Sequence, residues 1–209
     1  MTRTPLLTYI KKIGRPIFTT AELVAMSGKS PSTVSRSLRY LDRQGAVYQV
    51  YRGIWAETNR PVSAFSVIPF LQPRRRAYLS FISALHLYGI IEQIPQVITL
   101  ASSGHTGKIT TAVGVFSVHQ ITPRFFKGFD WYKGTGDFLI AEPEKALIDC
   151  LYLAGYKKRQ FAHFPELAWP ETFSFKKARA WIEEIPNPKI VAQAVKKLEA
   201  IEKTQNRPG

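Results

Sequence analysis

The chain has one cysteine, Cys150, in 209 residues, which excludes an internal disulfide. That cysteine falls amid apolar residues in an expected helix, so it reads as a buried, inert thiol. Such sparing use of cysteine fits a reducing compartment. Long apolar runs are also missing: nothing approaches the roughly 18 residues that a spanning helix needs. The first residues lack the apolar centre of a signal peptide. A cytoplasmic protein with no membrane partner is expected. Acidic residues are scarce, 15 against 29 Lys and Arg, leaving a formal net charge of +14. An excess of that size favours acidic partners, nucleic acid first among them.

Signatures of catalysis are few. His86, His105, His119 and His163 are scattered, and there is no HExxH and no paired-cysteine spacing, so no metal is expected. The stretch Ser102–Lys108, SSGHTGK, ends like a phosphate loop. It has Ser102 where that loop needs glycine and is followed by Ile109 where it needs a hydroxyl, so a polar loop between strands is expected. GxSxG, a Cys/His pairing and a dinucleotide fingerprint are absent. Glu142, Glu144, Lys145 and Asp149 are the one constellation that could do acid–base work. Glu142 and Glu144 flank Pro143 at an expected helix start, where carboxylates suit the helix dipole. Glu144 and Lys145, as sequence neighbours, do not face each other. A protein that is not an enzyme, with no cofactor, is the resulting expectation.

What is present is a globular composition, 45% apolar and 12% aromatic, enough for one large or two small domains. Residues 1–60 hold ten Lys/Arg and three Asp/Glu, and residues 61–209 hold nineteen and twelve. Each segment nets +7, so the first carries the higher charge density.

Residues 5–13, PLLTYIKKI, predict a leading helix with Leu6, Leu7, Ile10 and Ile13 turned inward, and Ile17-Phe18 a short strand. Thr19 to Gly45 then reads as two helices around a tight turn. Thr19 or Thr20 caps the first, with Glu22 in its first turn and Leu23, Val24 and Met26 as its apolar contacts. Gly28 supplies the turn. Ser30 caps the second helix, Pro31 takes its first position, and Val34, Leu38 and Leu41 form a buried stripe. On the other face, at roughly 100° per residue, Ser32, Arg36, Arg39 and Arg43 share an arc of about 60°. Lys29, Thr33 and Tyr40 flank it. Hydroxyls at the start of a helix and arginines further along suit a recognition helix, whose first turn reads base edges and whose later residues hold phosphates.

Behind it, Ala46–Val50 and Ile54–Ala56 read as two strands around Tyr51-Arg52-Gly53, a hairpin. Helix, turn, helix and basic hairpin in this order predict a winged helix-turn-helix over residues 1–59. The expected contacts with double-stranded operator DNA come from Lys29, Ser30, Ser32, Thr33, Arg36, Arg39, Tyr40, Arg43 and Arg52.

Residues 60–73 carry three prolines and read as a linker or crossing segment, apolar enough to pack on a second domain spanning 74–209. Arg74-Arg75-Arg76 is either a solvated helix start or a phosphate contact. The pattern predicts a helix over 77–88 with Tyr78, Phe81, Ile82 and Leu85 buried. It predicts strands over 96–101, 113–121 and 137–141, then a helix from Glu142 or Pro143 to Ala154 with Leu147, Cys150, Leu151 and Ala154 as its stripe. Two more helices, 175–184 and 190–203, close the chain. The fold class is α+β: a winged helix-turn-helix, then a mixed α/β domain ending in helices.

The stretch Tyr78–Glu92, YLSFISALHLYGIIE, resembles the "yvSxxsALxxhGL" helix of AbiEi-type antitoxins of abortive-infection systems. Ile140–Asp149, IAEPEKALID, is similar to that family's "xPEKALlD" segment. Both follow a winged helix in the family's order, and the resemblance covers most of residues 5–160. Tyr88 stands where the family pattern has His, and from Phe164 onward nothing matches. The resemblance implies an autorepressing antitoxin of a type IV toxin–antitoxin pair. Its first domain would bind operator DNA and its second would counter a nucleotidyltransferase toxin, not necessarily in a stable complex. Regulators of this kind without a toxin also exist. The expected function is therefore a sequence-specific DNA-binding transcriptional regulator. The alternatives are a solitary regulator, or an interaction protein whose basic second domain acts on RNA or toxin.

Overall fold

The structure is a computed structural model describing residues 4–72, 76–134, 137–161 and 163–205. Contacts divide the chain into two compact units: Met1–Leu71 with Thr110–Gly114, and Gln72–Ile109 with Val115–Gly209.

The first unit opens with helix α1 (Leu6–Ile13), strand β1 (Ile17–Thr19), helices α2 (Thr20–Ser27) and α3 (Pro31–Arg43), and the hairpin β2 (Val47–Tyr51) and β3 (Ile54–Glu57). The strands form an antiparallel sheet in the order β1-β3-β2. This is a winged helix-turn-helix. Its helix ends follow from local chemistry. The Thr19 hydroxyl accepts from the Glu22 amide at 3.2 Å, and the Glu22 carboxylate accepts from the Thr19 amide at 2.8 Å, a reciprocal capping box. Gly28 closes α2 at φ +63°, a conformation costly for residues with a Cβ. Leu6, Ile10, Phe18, Leu23, Val34, Leu38, Val47 and Trp55 make one core, each worth roughly 1.5–3 kcal/mol of burial. The Trp55 indole is satisfied there, donating to the Thr20 hydroxyl at 3.1 Å. Leu7, Ile13, Val24 and Leu41 pack at the rim of the core. Met26, expected to join this packing, is 43% exposed instead.

Residues 60–71, expected to pack on the second domain, group with the first unit. A 3-10 turn over Phe65–Val67 runs into helix α4 (Ile68–Leu71), with Val67, Ile68 and Leu71 buried. The Arg15 guanidinium lies over the Phe70 ring at 5.2 Å. Arg74 and Arg75 lie outside the described residues.

The second unit is built on a mixed sheet. Its elements are β4 (Ala77–Leu79), helix α5 (Phe81–Leu87), β5 (Ile98–Ser102), β6 (Gly107–Thr111), β7 (Gly114–Gln120), β8 (Phe129–Trp131), β9 (Leu139–Ala141), and helices α6 (Pro143–Gly155), α7 (Phe175–Glu183) and α8 (Pro188–Gln205), apart from the β6–β7 turn Thr110–Gly114, which groups with the first unit. The order is β6-β7-β5-β4-β9-β8. Strands β5 and β7, and β4 and β9, run parallel; β4 and β5, and β8 and β9, run antiparallel. Helix α6 packs against α5, α7 and α8, and every residue from Glu144 to Leu153 is buried. That corrects the expected one-sided stripe: a helix surrounded by others needs no polar face. Gly155 lets α8 approach α6, since a Cβ there would stand 2.9 Å from Ile190.

Two further expectations change. The helix over 77–88 is a strand, a break at Ser80, and then α5. Phe81 sits at φ +58°, a strained value for a residue with a side chain. Its ring is held in the core between Phe161 at 4.8 Å and His119 at 5.3 Å. The polar loop 102–108 is shorter than expected, because β6 begins at Gly107.

Candidate nucleic-acid interface

Helix α3 is set by its cap. The Ser30 hydroxyl accepts from the Thr33 amide at 3.3 Å and bonds the hydroxyls of Ser32 at 3.0 Å and Thr33 at 2.8 Å. Pro31 takes the first helical position, where its missing amide costs nothing. Val34 and Leu38 are fully buried and fix the rotation of the helix. The opposite side is consequently presented outward, and Ser32, Arg36, Arg39 and Arg43 are all exposed.

These four line one open cleft of about 700 Å³, joined by Ser35 and Asp42. Sequence reasoning left out the last two. At roughly 100° per residue they fall about 20° apart on one flank of the arc, while Thr33 and Tyr40 fall on the other, so the helical wheel could have found them. Among the described residues, no ion pair engages Arg36, Arg39, Arg43 or Arg52. The cleft therefore offers three guanidiniums whose donors are free for an incoming anion.

The remaining predicted residues are placed differently. Lys29 is half-buried, donates to the Thr4 carbonyl at 2.8 Å and lies over the Tyr9 ring at 6.0 Å, so its ammonium is already engaged. The Ser30 hydroxyl is committed to the cap. Thr33 is exposed beside it, and Tyr40 is 57% exposed. Arg52 is exposed in the β2–β3 turn, away from the cleft lining. That turn is tied down by the Thr20 amide, which donates to the Gly53 carbonyl at 2.9 Å. Gly53 itself stands at φ +71°.

The second unit holds a different constellation. Lys145 and Asp149, one turn apart on α6, form an ion pair with both side chains fully buried. Asp149 Oδ2 accepts from the Tyr78 hydroxyl at 3.0 Å and the Ser80 hydroxyl at 2.7 Å. Lys145 Nζ donates to the Tyr78 hydroxyl at 3.1 Å and stands 3.9 Å from the centre of the Phe125 ring. Burial lowers the ammonium's pKa, opposed by the Asp149 charge, and burial with Asp149 pushes the Tyr78 phenol well up. Cys150 beside it is buried, and its thiol pKa is likewise pushed well up. All four members of the cluster are sealed from solvent, so no substrate reaches them; they hold β4 to α6.

Glu142 and Glu144 do more than sit at a helix start. Glu144 accepts from the Ser174 amide at 3.0 Å, and Lys177 reaches Glu142 at 2.9 Å and Glu144 at 3.4 Å, docking α7 on the start of α6. Among the described residues no group of three His, Cys, Asp or Glu is placed to hold a metal ion, and no helix is long and apolar enough to cross a membrane.

Residues 7–58 match the family model described as "Transcriptional regulator, AbiEi antitoxin". The match covers the winged helix, from within α1 to just past β3. That description is of regulators and antitoxins, not enzymes. The Tyr78–Glu92 and Ile140–Asp149 stretches lie outside the match, and the buried cluster joins them to each other through Tyr78, Ser80, Lys145 and Asp149. No curated protein matches the chain.

Proposed function

We propose that this chain is a sequence-specific DNA-binding transcriptional regulator that represses its own operon as the antitoxin of a type IV pair. One observation carries the DNA reading. The exposed face of a capped helix, in a helix-turn-helix, gathers Ser32 and three unpaired arginines in one cleft. In the major groove the Ser32 end meets base edges, and Arg36, Arg39 and Arg43 meet phosphates or guanine edges. Arg52 in the wing reaches the neighbouring backbone or minor groove. The family match to residues 7–58 supports a regulator of this type. The partners are double-stranded operator DNA and a nucleotidyltransferase toxin.

The test is a fluorescence-anisotropy titration with the promoter of the chain's own operon at moderate salt. Arg36→Ala with Arg39→Ala abolishes specific binding while circular dichroism stays that of the native fold. Unchanged affinity in that variant overturns the reading. Coexpression with a nucleotidyltransferase encoded beside it tests the antitoxin role. The full-length double variant still neutralises the toxin if that work resides in the second unit. Absence of any such neighbouring gene leaves the chain a solitary regulator.

A further inference from the structure

The second unit carries a cleft of about 530 Å³, a volume that suits a nucleotide-sized ligand. Lys108, from the start of β6, and Lys157 and Lys158, from the end of α6, stand on its lining. All three lysines are exposed, and among the described residues no ion pair engages any of them. No acidic side chain lines the cleft. Three ammoniums facing one space without a counter-ion repel each other, a cost that a bound anion removes.

The polar side of the cleft is arranged, not merely basic. His119 is 4% exposed, and its ring meets Phe81 at 5.3 Å and Phe161 at 5.0 Å edge-on. Burial, then the Lys158 charge, lowers its pKa to about 4, so the ring is neutral at pH 7. Its Nε2 lies 3.0 Å from the Ser117 hydroxyl and 3.1 Å from the Gln160 amide nitrogen, so one ring nitrogen meets both side chains. The imidazole thus fixes two neutral polar side chains in the cleft beside the lysines.

Lysines at a helix C-terminus have an ordinary explanation, since cations there complement the helix dipole. That accounts for Lys157 and Lys158 but not for Lys108, which a strand delivers. Nor does it explain Lys157 itself, at φ +60°, a left-handed position that glycine fills in most helix ends.

We infer that this cleft of Lys108, Lys157, Lys158, Ser117 and Gln160 binds the phosphate of a nucleotide or nucleic-acid strand. It draws on no residue of the winged helix, so it stands or falls independently of the operator reading. The phosphate comes either from a terminal monoester or from a backbone diester. The probes that separate these are adenosine monophosphate and a short single-stranded oligoribonucleotide with unphosphorylated ends.

The experiment uses the full chain with Arg36→Ala and Arg39→Ala, which silences the recognition helix, titrated by calorimetry or anisotropy at low salt. Saturable binding of either probe is expected. Lys108→Ala alone weakens it by about tenfold, as loss of one charge-assisted contact does. The combination Lys108→Ala, Lys157→Asn and Lys158→Ala weakens it further, and lowers the salt slope for the oligonucleotide by about 2. Asparagine is chosen at 157 because it tolerates the left-handed backbone. Binding of the mononucleotide marks a monoester site, and binding of the oligonucleotide alone marks a backbone site. Failure of both probes to bind, or equal affinity in the single and triple lysine variants and their parent, overturns the inference.

Discussion

The Ser80 hydroxyl donates to Asp149 Oδ2 at 2.7 Å across 69 residues of sequence, and both side chains are fully buried. Asp149 also answers Tyr78 and Lys145, so one carboxylate ties β4 to the central helix of the second unit. Removing one partner of a buried pair leaves the other charge uncompensated. Asp149→Ala is therefore expected to destabilise the protein by about 3–5 kcal/mol in urea unfolding. Replacing both charges by apolar residues, Lys145→Met with Asp149→Leu, costs less than the single change. A double variant at least as damaged as Asp149→Ala would mean that the ion pair is not what makes the site fragile.

Gly128 stands at φ +77°, with its carbonyl accepting from the Glu142 amide at 3.0 Å. A Cβ built there falls 2.5 Å from the Trp181 ring and 3.1 Å from Lys145 Cγ. Gly128→Ala meets both a strained backbone and an occupied space, so a loss of about 2–4 kcal/mol is expected. Trp181→Leu in the same chain opens the space but leaves the φ unrelieved. Thermal melts of the two variants separate the steric part from the backbone part.

The winged helix was legible because each of its signals is local. Ser30-Pro31, Gly28 and the Val34/Leu38 stripe are read within a turn or two, and the arginine arc follows from the helical period. Residues 77–88 were not legible for a physical reason. Tyr78, Phe81, Ile82 and Leu85 fit a helical stripe, while three residues of strand are too few to show alternation. What makes Ala77–Leu79 a strand is pairing with β5 and β9, about 20 and 60 residues on. The same distance hid the buried cluster. Lys145 and Asp149 are visibly one turn apart, but Tyr78 and Ser80 join them only through the sheet. The lysine cleft was equally invisible, since nothing local links Lys108 to Lys157.

His119 gives the protein an acid-sensitive element. Its folded pKa is lowered from 6.5 to about 4, chiefly by burial. Between these values the unfolded chain binds a proton that the folded chain refuses. The stability this group contributes is therefore complete above pH 6.5 and falls as pH drops toward 4. His119→Gln keeps a polar side chain but does not titrate. Its urea midpoint is expected to change less across that window than the parent's. Carboxylates such as Glu22, whose pKa is also lowered in the fold, contribute equally to both proteins and cancel. Parallel pH curves for the two would place the sensitivity elsewhere.

Ser32 and Arg43 stand at opposite ends of the same cleft, and the two ends do different work if the helix lies in DNA. A phosphate contact carries no sequence information but releases a counter-ion. Arg43→Ala should therefore weaken operator and unrelated duplex alike, and reduce the slope of log affinity against log salt by about 0.9. A base-edge contact does the reverse. Ser32→Ala should leave the salt slope unchanged and narrow the gap between operator and unrelated duplex, by about 1 kcal/mol for one neutral hydrogen bond. The Ser32 hydroxyl also bonds Ser30 at 3.0 Å, so the cap must be shown intact. The Thr33 amide still has the Ser30 hydroxyl as its acceptor in that variant, and helix content by circular dichroism should not move. If instead Arg43→Ala changed sequence preference and Ser32→Ala changed the salt slope, the helix would lie in the groove with its ends reversed.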